Sequence, residues 1–186
     1  HVEQKLLPKE YRRYDENYWD KRKLAPSSLL FYVGLSEKVN GLEHHNLFFD
    51  ESLDQHGKEI YETPKWPSKP LFYVCAASKT DDEISPKGHE NLMILMPVAP
   101  DLEDSIENQE KYFELIVSRM EKQLGRELKS IIDYKKIFSI NDFKSTYNAY
   151  KGNAYGLANT LLQTAFLRPN IRSKKVKNLF FTGQLT

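Results

Sequence analysis

The chain has 186 residues, of which 40% are hydrophobic and 12% aromatic, so it is long and apolar enough to bury the core of one domain. Its 27 Lys and Arg residues nearly balance its 26 Asp and Glu residues. A formal net charge of +1 provides no long-range attraction to nucleic acid, and we expect no nucleic-acid partner. The single cysteine, Cys75, excludes an internal disulfide and a zinc site made of thiolates alone.

The first half of the chain is rich in predicted strands. Runs of β-branched, aromatic and aliphatic residues predict four of them, at residues 28–35, 46–49, 71–77 and 91–97. The first of these runs is apolar along nearly its whole length, so we expect it to be buried on both faces. A polar, aromatic opening with short helical turns precedes the strands. A helix is predicted over residues 52–62, and the proline-rich residues 63–70 end it.

The second half begins with the clearest helix, predicted over residues 106–124. Apolar side chains recur there at helical spacing, Ser105 is a capping residue and Gly125 ends the helix. The remaining predicted elements are a strand at 131–138, a helix from the capping pair Ser139 and Asp142 through residue 147, a helical piece at 159–166 and a strand at 176–182. Because strands come early and in succession, the sequence predicts an α+β fold with a mainly antiparallel (mixed) sheet and helices packed on it.

Two kinds of catalytic or metal site are disfavoured by the motifs. His44 and His45 are adjacent, so on a strand their side chains would point to opposite faces, and we expect no metal site. The chain contains neither the G-x-S-x-G nucleophile motif nor the G-x-G-x-x-G dinucleotide motif.

The segment YKGNAYG, residues 150–156, comes nearest to a cofactor cradle. Gly152 and Gly156 flank the small Ala154 among aromatic residues, an arrangement that lets backbone pass close to a flat ring. On these residues alone, a structural turn is the better interpretation. The basic run at residues 168–177 likewise favours a solvated turn over a polyanion site.

Several short sequence runs are individually unspecific, but their order along the chain is informative. They are SLLFYVGL from Ser28, EHHN from Glu43, PKGH from Pro86, LMPV from Leu95, NDF from Asn141, YNAY from Tyr147, GNAYG from Gly152, QTAF from Gln163, RP at Arg168 and NLFFTG from Asn178. In this order they resemble the C-terminal part of the bacterial-type phytoene desaturases, and the resemblance covers nearly the whole chain.

The resemblance implies a two-domain flavoenzyme that holds FAD non-covalently and binds a long carotenoid. Residues 1–186 would then be a single segment: the substrate-binding domain, plus a final strand, about residues 176–183, leading back to the FAD domain. The family's N-terminal glycine-rich motif, and the glycine- and proline-rich motif after that strand, are absent from these residues. We therefore expect FAD to be bound mainly by parts outside the segment, and the segment alone to be inactive.

The family also implies particular residues and partners. The cofactor-binding residues would be Gly152, Asn153, Ala154, Tyr155, Gly156 and Gly183, whereas no catalytic residue can be assigned. The expected reaction is desaturation of phytoene towards lycopene-type products, on a long hydrophobic polyene. The expected location is the cytoplasm, in peripheral contact with the inner face of the membrane. Alternatives are a related flavoprotein acting on another polyene (a carotenoid 3,4-desaturase or a retinol saturase) and a non-catalytic interaction domain.

Overall fold

A computed structural model describes residues 1–183, so residues 184–186 of the predicted segment lie outside it. The described residues form five strands: β1 (Ser27–Leu35), β2 (His45–Phe48), β3 (Phe72–Cys75), β4 (Glu90–Val98) and β5 (Ile132–Phe138). They make one sheet in the order β2-β3-β4-β1-β5, and every neighbouring pair is antiparallel. The predicted α+β class is confirmed.

Four α-helices accompany the sheet within the described residues: α1 (Glu16–Asp20), α2 (Leu53–Tyr61), α3 (Ile106–Leu124) and α4 (Ile140–Tyr147). A π-helical turn covers Val2–Leu6. Short 3₁₀ turns lie at Lys9–Tyr11, Ala77–Lys79, Lys129–Ile131, Tyr150–Gly152, Leu161–Gln163 and Ala165–Leu167. The last two replace the helical piece predicted at residues 159–166. None of the helices within residues 1–183 has the length and apolar character needed to cross a bilayer.

Helix α3 builds the core against the sheet and has the bounds predicted from its sequence. The Ser105 hydroxyl accepts a hydrogen bond from the Asn108 backbone N–H (3.2 Å), and Gly125 ends the helix in the left-handed conformation. The buried stripe of the helix packs on β1, where the rings of Phe113 and Phe31 lie 5.2 Å apart. Burial of this stripe, rather than helix propensity, provides most of the helix's stability.

The expectation that β1 is buried on both faces is wrong. Leu29, Phe31 and Val33 are buried, but Tyr32, which alternates with them, is 41% exposed. Successive side chains of a strand point to opposite faces, and the face that carries Tyr32 is not fully covered.

The strand predicted at residues 176–182 is wrong as well, since the described residues form no strand there. That the segment at about 176–183 leads back to an FAD domain stays a prediction. Only an isolated bridge between Arg172 and Phe180 is present there. Backbone groups find their partners locally instead: Leu179 N–H donates to Val176 O (3.2 Å) and Ser173 N–H donates to Leu179 O (2.9 Å). The Ser173 hydroxyl also accepts a hydrogen bond from the Val176 N–H (3.1 Å). In this turn, backbone groups that would pair with a neighbouring strand in a sheet are instead bonded locally.

Candidate functional site

A cavity of about 600 Å³ lies beside the loop that follows α4. None of the described residues that line it is Lys or Arg, and its ionisable members other than tyrosine are His1 and Glu3. Most of its wall is apolar, and its aromatic members are Tyr14, Trp19, Phe143, Tyr147, Tyr150 and Phe181. A cavity with this lining suits a flat or elongated apolar ligand, because it provides contact area and little charge.

The six predicted cofactor residues separate into three groups. Asn153, Ala154, Gly156 and the distant Gly183 all line the cavity. Tyr155 lines a second cavity of about 570 Å³, which shares none of the lining residues of the first. Gly152 lines neither of the two cavities. Their binding of a cofactor stays a prediction.

The loop is held against the start of β1 by a set of hydrogen bonds. They are Ala154 N–H to Pro26 O (3.1 Å), Ala25 N–H to Gly156 O (2.8 Å), Ala158 N–H to Lys23 O (2.9 Å) and Ser27 Oγ–H to Gly152 O (2.5 Å). A bridge between Leu24 and Leu157 extends the pairing. The cavity wall is therefore tied to the sheet, and a loop fixed in this way presents a defined shape to a ligand.

Gly152 is buried and serves packing. Its φ of +64° is in the left-handed region that disfavours side chains. A Cβ at this position would lie 2.5 Å from Ile140 Cγ2 and 2.6 Å from Ile140 O, at the first residue of α4. The close approach of two backbones is sufficient to explain this glycine, and its contact with a cofactor stays a prediction.

Asn153 uses its side chain to stiffen the loop. Its Nδ2 donates to Tyr150 O (2.5 Å), and its Oδ1 accepts the Gly156 N–H (2.7 Å). The amide is therefore occupied within the loop, although the residue lines the cavity. What this wall offers to a ligand is therefore the shape left by Ala154 and Gly156 rather than the Asn153 amide.

Tyr150 is fixed at the cavity wall by a charged partner. Its hydroxyl donates to Asp20 Oδ1 (2.5 Å), which also pairs with Lys151 Nζ (3.1 Å). Burial, and then the hydrogen bond to Asp20, raise the pKa of Tyr150 to about 12. At neutral pH the Tyr150 hydroxyl is therefore protonated, so it orients the ring and cannot act as a base.

Sequence reasoning missed the wall contributed by the opening of the chain. Tyr14 and Trp19 line the cavity, with ring centroids 5.8 Å apart, and Tyr18 packs on Tyr14 at 4.3 Å. The available signal was the density of aromatic side chains in an otherwise polar stretch. The N-terminal residues reach the cavity because residues 23–27 pair with the loop. This long-range pairing produces no recognisable pattern in the local sequence.

The premise that His44 and His45 point apart is also wrong. Strand β2 begins at His45, so His44 precedes it and does not obey the alternation of a strand. The two ring centroids are 4.2 Å apart. Cys75 lies directly opposite His45 in the pairing of β2 with β3, and one ligand atom from each of the three residues lies within 4.8 Å of the others.

Comparison with known proteins gives relatives over the whole chain. No family model matches. The chain is 45% identical, over all 186 residues, to a carotenoid 3,4-desaturase of Haloarcula japonica, of which it covers 38%. It is 31% identical to a zeta-carotene-forming phytoene desaturase of Myxococcus xanthus, with 90% of the chain and 33% of that protein aligned. It is 30% identical to a phytoene desaturase of Phycomyces blakesleeanus, with 94% of the chain and 31% of that protein aligned. The chain thus spans about a third of the length of these relatives.

Proposed function

We propose that this chain, which belongs to the family of carotenoid and phytoene desaturases, is the substrate-side part of an FAD-dependent oxidoreductase that desaturates a carotenoid precursor. The family resemblance predicted from the motifs is confirmed. The observation that carries the proposal is 45% identity, over every residue of the chain, to a protein named for this chemistry. Desaturation of phytoene towards lycopene-type products is the reaction we infer first.

The reaction explains why a cofactor is needed. Forming a double bond removes two hydrogens from adjacent carbons, and no amino-acid side chain accepts the electron pair. FAD, when bound, would supply that acceptor. The residues of this chain would bind the polyene, orient it and keep water away.

The residues at the cavity fit one portion of FAD and not another. Aromatic walls and the small Ala154 suit the flat isoalloxazine ring or the end of a polyene. A diphosphate needs cationic side chains or convergent backbone N–H groups. The described part of the lining contains no Lys or Arg, and the Gly156 N–H donates to Asn153 Oδ1. In our proposal Ala154 and Gly156 contact the ring side of the cofactor, and the phosphates are bound by other parts of the intact protein.

The remaining residues of the cavity would position the substrate and take no part in the chemical step. The rings of Trp19, Phe143 and Tyr147 would provide the apolar wall along which a polyene lies. Tyr150 would hold its ring in place through Asp20 and remain neutral. The described lining includes one carboxylate, Glu3, which accepts the Arg13 N–H (3.1 Å), and we assign no residue to proton removal.

A second candidate is desaturation at another position of a carotenoid. It is favoured by one observation: identity is 45% to the carotenoid 3,4-desaturase but only 30 and 31% to the two phytoene desaturases. Both candidates require the same cofactor and the same apolar cavity. They differ in the substrate carbons that reach the flavin.

We further propose peripheral contact with a membrane, from which a long polyene would be drawn. The support is local: Leu161 is 92% exposed and Leu162 is 76% exposed in a single 3₁₀ turn. Two adjacent leucines exposed to this degree provide an apolar surface that a bilayer would bury.

The test uses the intact protein that contains this chain, supplied with FAD and presented with liposomes carrying either phytoene or a carotenoid that is saturated at the 3,4 bond. Chromatography with mass detection follows the loss of two hydrogens for each new double bond. Conversion of phytoene supports the first candidate, and conversion of the second substrate alone replaces it with the second candidate. Failure to convert either substrate, by protein that retains its flavin, would overturn the proposal.

A further inference from the structure

A cluster of three metal-ligating side chains lies at the edge of the sheet, outside the cavity described above. His45 and Cys75 are opposite each other in the antiparallel pairing of β2 with β3, so their side chains share a face. His44 precedes β2, and its backbone carbonyl accepts the Ala76 N–H (2.8 Å). This bond holds the two histidines beside the end of β3 on which Cys75 lies.

Each imidazole is already oriented by a hydroxyl group. His44 Nδ1 lies 2.6 Å from Thr80 Oγ1, and His45 Nδ1 lies 2.5 Å from the Tyr73 hydroxyl. A hydrogen bond on one ring nitrogen, which fixes the tautomer and leaves the other nitrogen for a ligand, is the usual support of a metal-binding histidine.

The spacing of the three ligand atoms is close to that of a metal site. One nitrogen from each histidine and the Cys75 sulfur all lie within 4.8 Å of one another. A tetrahedral zinc ion, with Zn–N of about 2.0 Å and Zn–S of about 2.3 Å, places its ligands roughly 3.3 to 3.8 Å apart. Small rotations of side chains at an exposed edge cover the difference, since His45 is exposed and the other two are half-buried.

We propose that His44, His45 and Cys75 bind a borderline-soft divalent cation of the zinc type, with a fourth position open to water. Two imidazoles and one thiolate form a donor set that suits zinc better than a hard cation such as magnesium. On binding, the Cys75 thiol releases its proton to solvent and coordinates as thiolate. The ion would join the edge strand β2 to β3 and to the turn that contains Thr80. The inference is independent of the proposed function.

The test uses the intact protein, stripped with a chelator and titrated with cobalt(II), which is then displaced by zinc(II). Cobalt bound through Cys75 should show a thiolate charge-transfer band in the near ultraviolet. Cys75→Ser should abolish the band, and His89→Asn, which alters a histidine outside the cluster, should leave it unchanged. Since outer-shell partners alone are worth about 10- to 100-fold in affinity, Cys75→Ser and His45→Asn should weaken zinc binding by at least about 100-fold.

Thr80→Val provides a variant that keeps all three ligands. It removes the hydroxyl beside His44 Nδ1 and should weaken zinc binding by about 10- to 100-fold. This result would support the site even if a ligand variant failed to fold. Zinc affinity that is equal in the unmodified protein and in Cys75→Ser, or cobalt spectra without a thiolate band, would overturn the proposal.

Discussion

Replacing Gly152 by alanine should destabilise the protein far more than the same change at Gly125. Both glycines have nearly the same backbone conformation, with φ of +64° and +65°. They differ in surroundings: a Cβ at Gly125 meets nothing within 4 Å, whereas one at Gly152 meets Ile140 O at 2.6 Å. The pair therefore separates the backbone penalty from the packing penalty.

The magnitudes follow from these two penalties. Placing a side chain in the left-handed region costs about 1–2 kcal/mol, and both variants incur it. Forcing an extra methyl group into packed structure costs a further 1–3 kcal/mol or so, and only Gly152→Ala incurs that. We expect a loss of about 1–2 kcal/mol at Gly125 and about 2–5 kcal/mol at Gly152. The contact at Gly152 is with backbone, which cannot move aside as a flexible side chain can.

Urea unfolding of the intact protein, monitored by a signal that reports on residues 1–183, measures the loss of unfolding free energy for both variants under one condition. Equal losses for Gly152→Ala and Gly125→Ala would refute the reasoning, because they would show that Ile140 does not restrict the Gly152 position. A Gly152 variant of full stability but without flavin or substrate binding would support the cofactor role that the sequence predicts for this residue.

Three further results are expected. His56 is buried, accepts from Leu71 N–H (3.0 Å) and donates to Pro97 O (2.9 Å), and burial lowers its pKa. The neutral His56 ring contributes fully to the free energy of unfolding above the unfolded pKa of about 6.5, and this contribution is lost as the pH falls through the lower pKa of the folded state. In His56→Gln, the urea midpoint should therefore fall less steeply with decreasing pH than in the unmodified protein. The double change of Leu161 and Leu162 to Asp should reduce co-sedimentation with liposomes and leave the thermal midpoint unchanged; unaltered sedimentation would contradict the membrane proposal. FAD should raise the thermal midpoint of the intact protein and leave that of the isolated segment unchanged; micromolar binding by the segment would show that the cofactor site is misplaced.

The parts of the fold that were predictable from the sequence are those with local causes. Helix α3 has a continuous apolar stripe, a serine cap and a terminal glycine, and its bounds agree with the sequence prediction. The pattern of early, successive strands likewise predicted an antiparallel sheet. The strand predicted at residues 176–182 fails because the Ser173 hydroxyl and nearby carbonyls satisfy the backbone in a turn, which β-propensity does not register.

The site was predictable only in part because it depends on contacts between distant segments. The segment around Ala154 was recognised from small residues among aromatics, and it lines the cavity. The role of Gly152 depends on Ile140, and the position of Trp19 depends on pairing between residues 23–27 and the loop. Nothing in the local sequence encodes either contact. The proximity of His44 and His45 was missed because strand alternation was assumed for both side chains, whereas only His45 lies on β2.

The central claim is our proposal that, in the intact protein, a flavin ring or a polyene binds in the cavity beside Ala154. The most direct measurement compares initial rates of carotenoid desaturation by Ala154→Val and Ala25→Val, in intact protein with FAD. Ala154 lines the cavity, whereas Ala25 pairs with the same loop and lies outside the lining. We predict that Ala154→Val slows product formation about ten-fold or more, the effect of at least about 1.4 kcal/mol of lost complementarity, at an unchanged thermal midpoint. Ala25→Val should retain the rate of the unmodified protein. Equal rates for both variants, with flavin bound in each, would contradict the account.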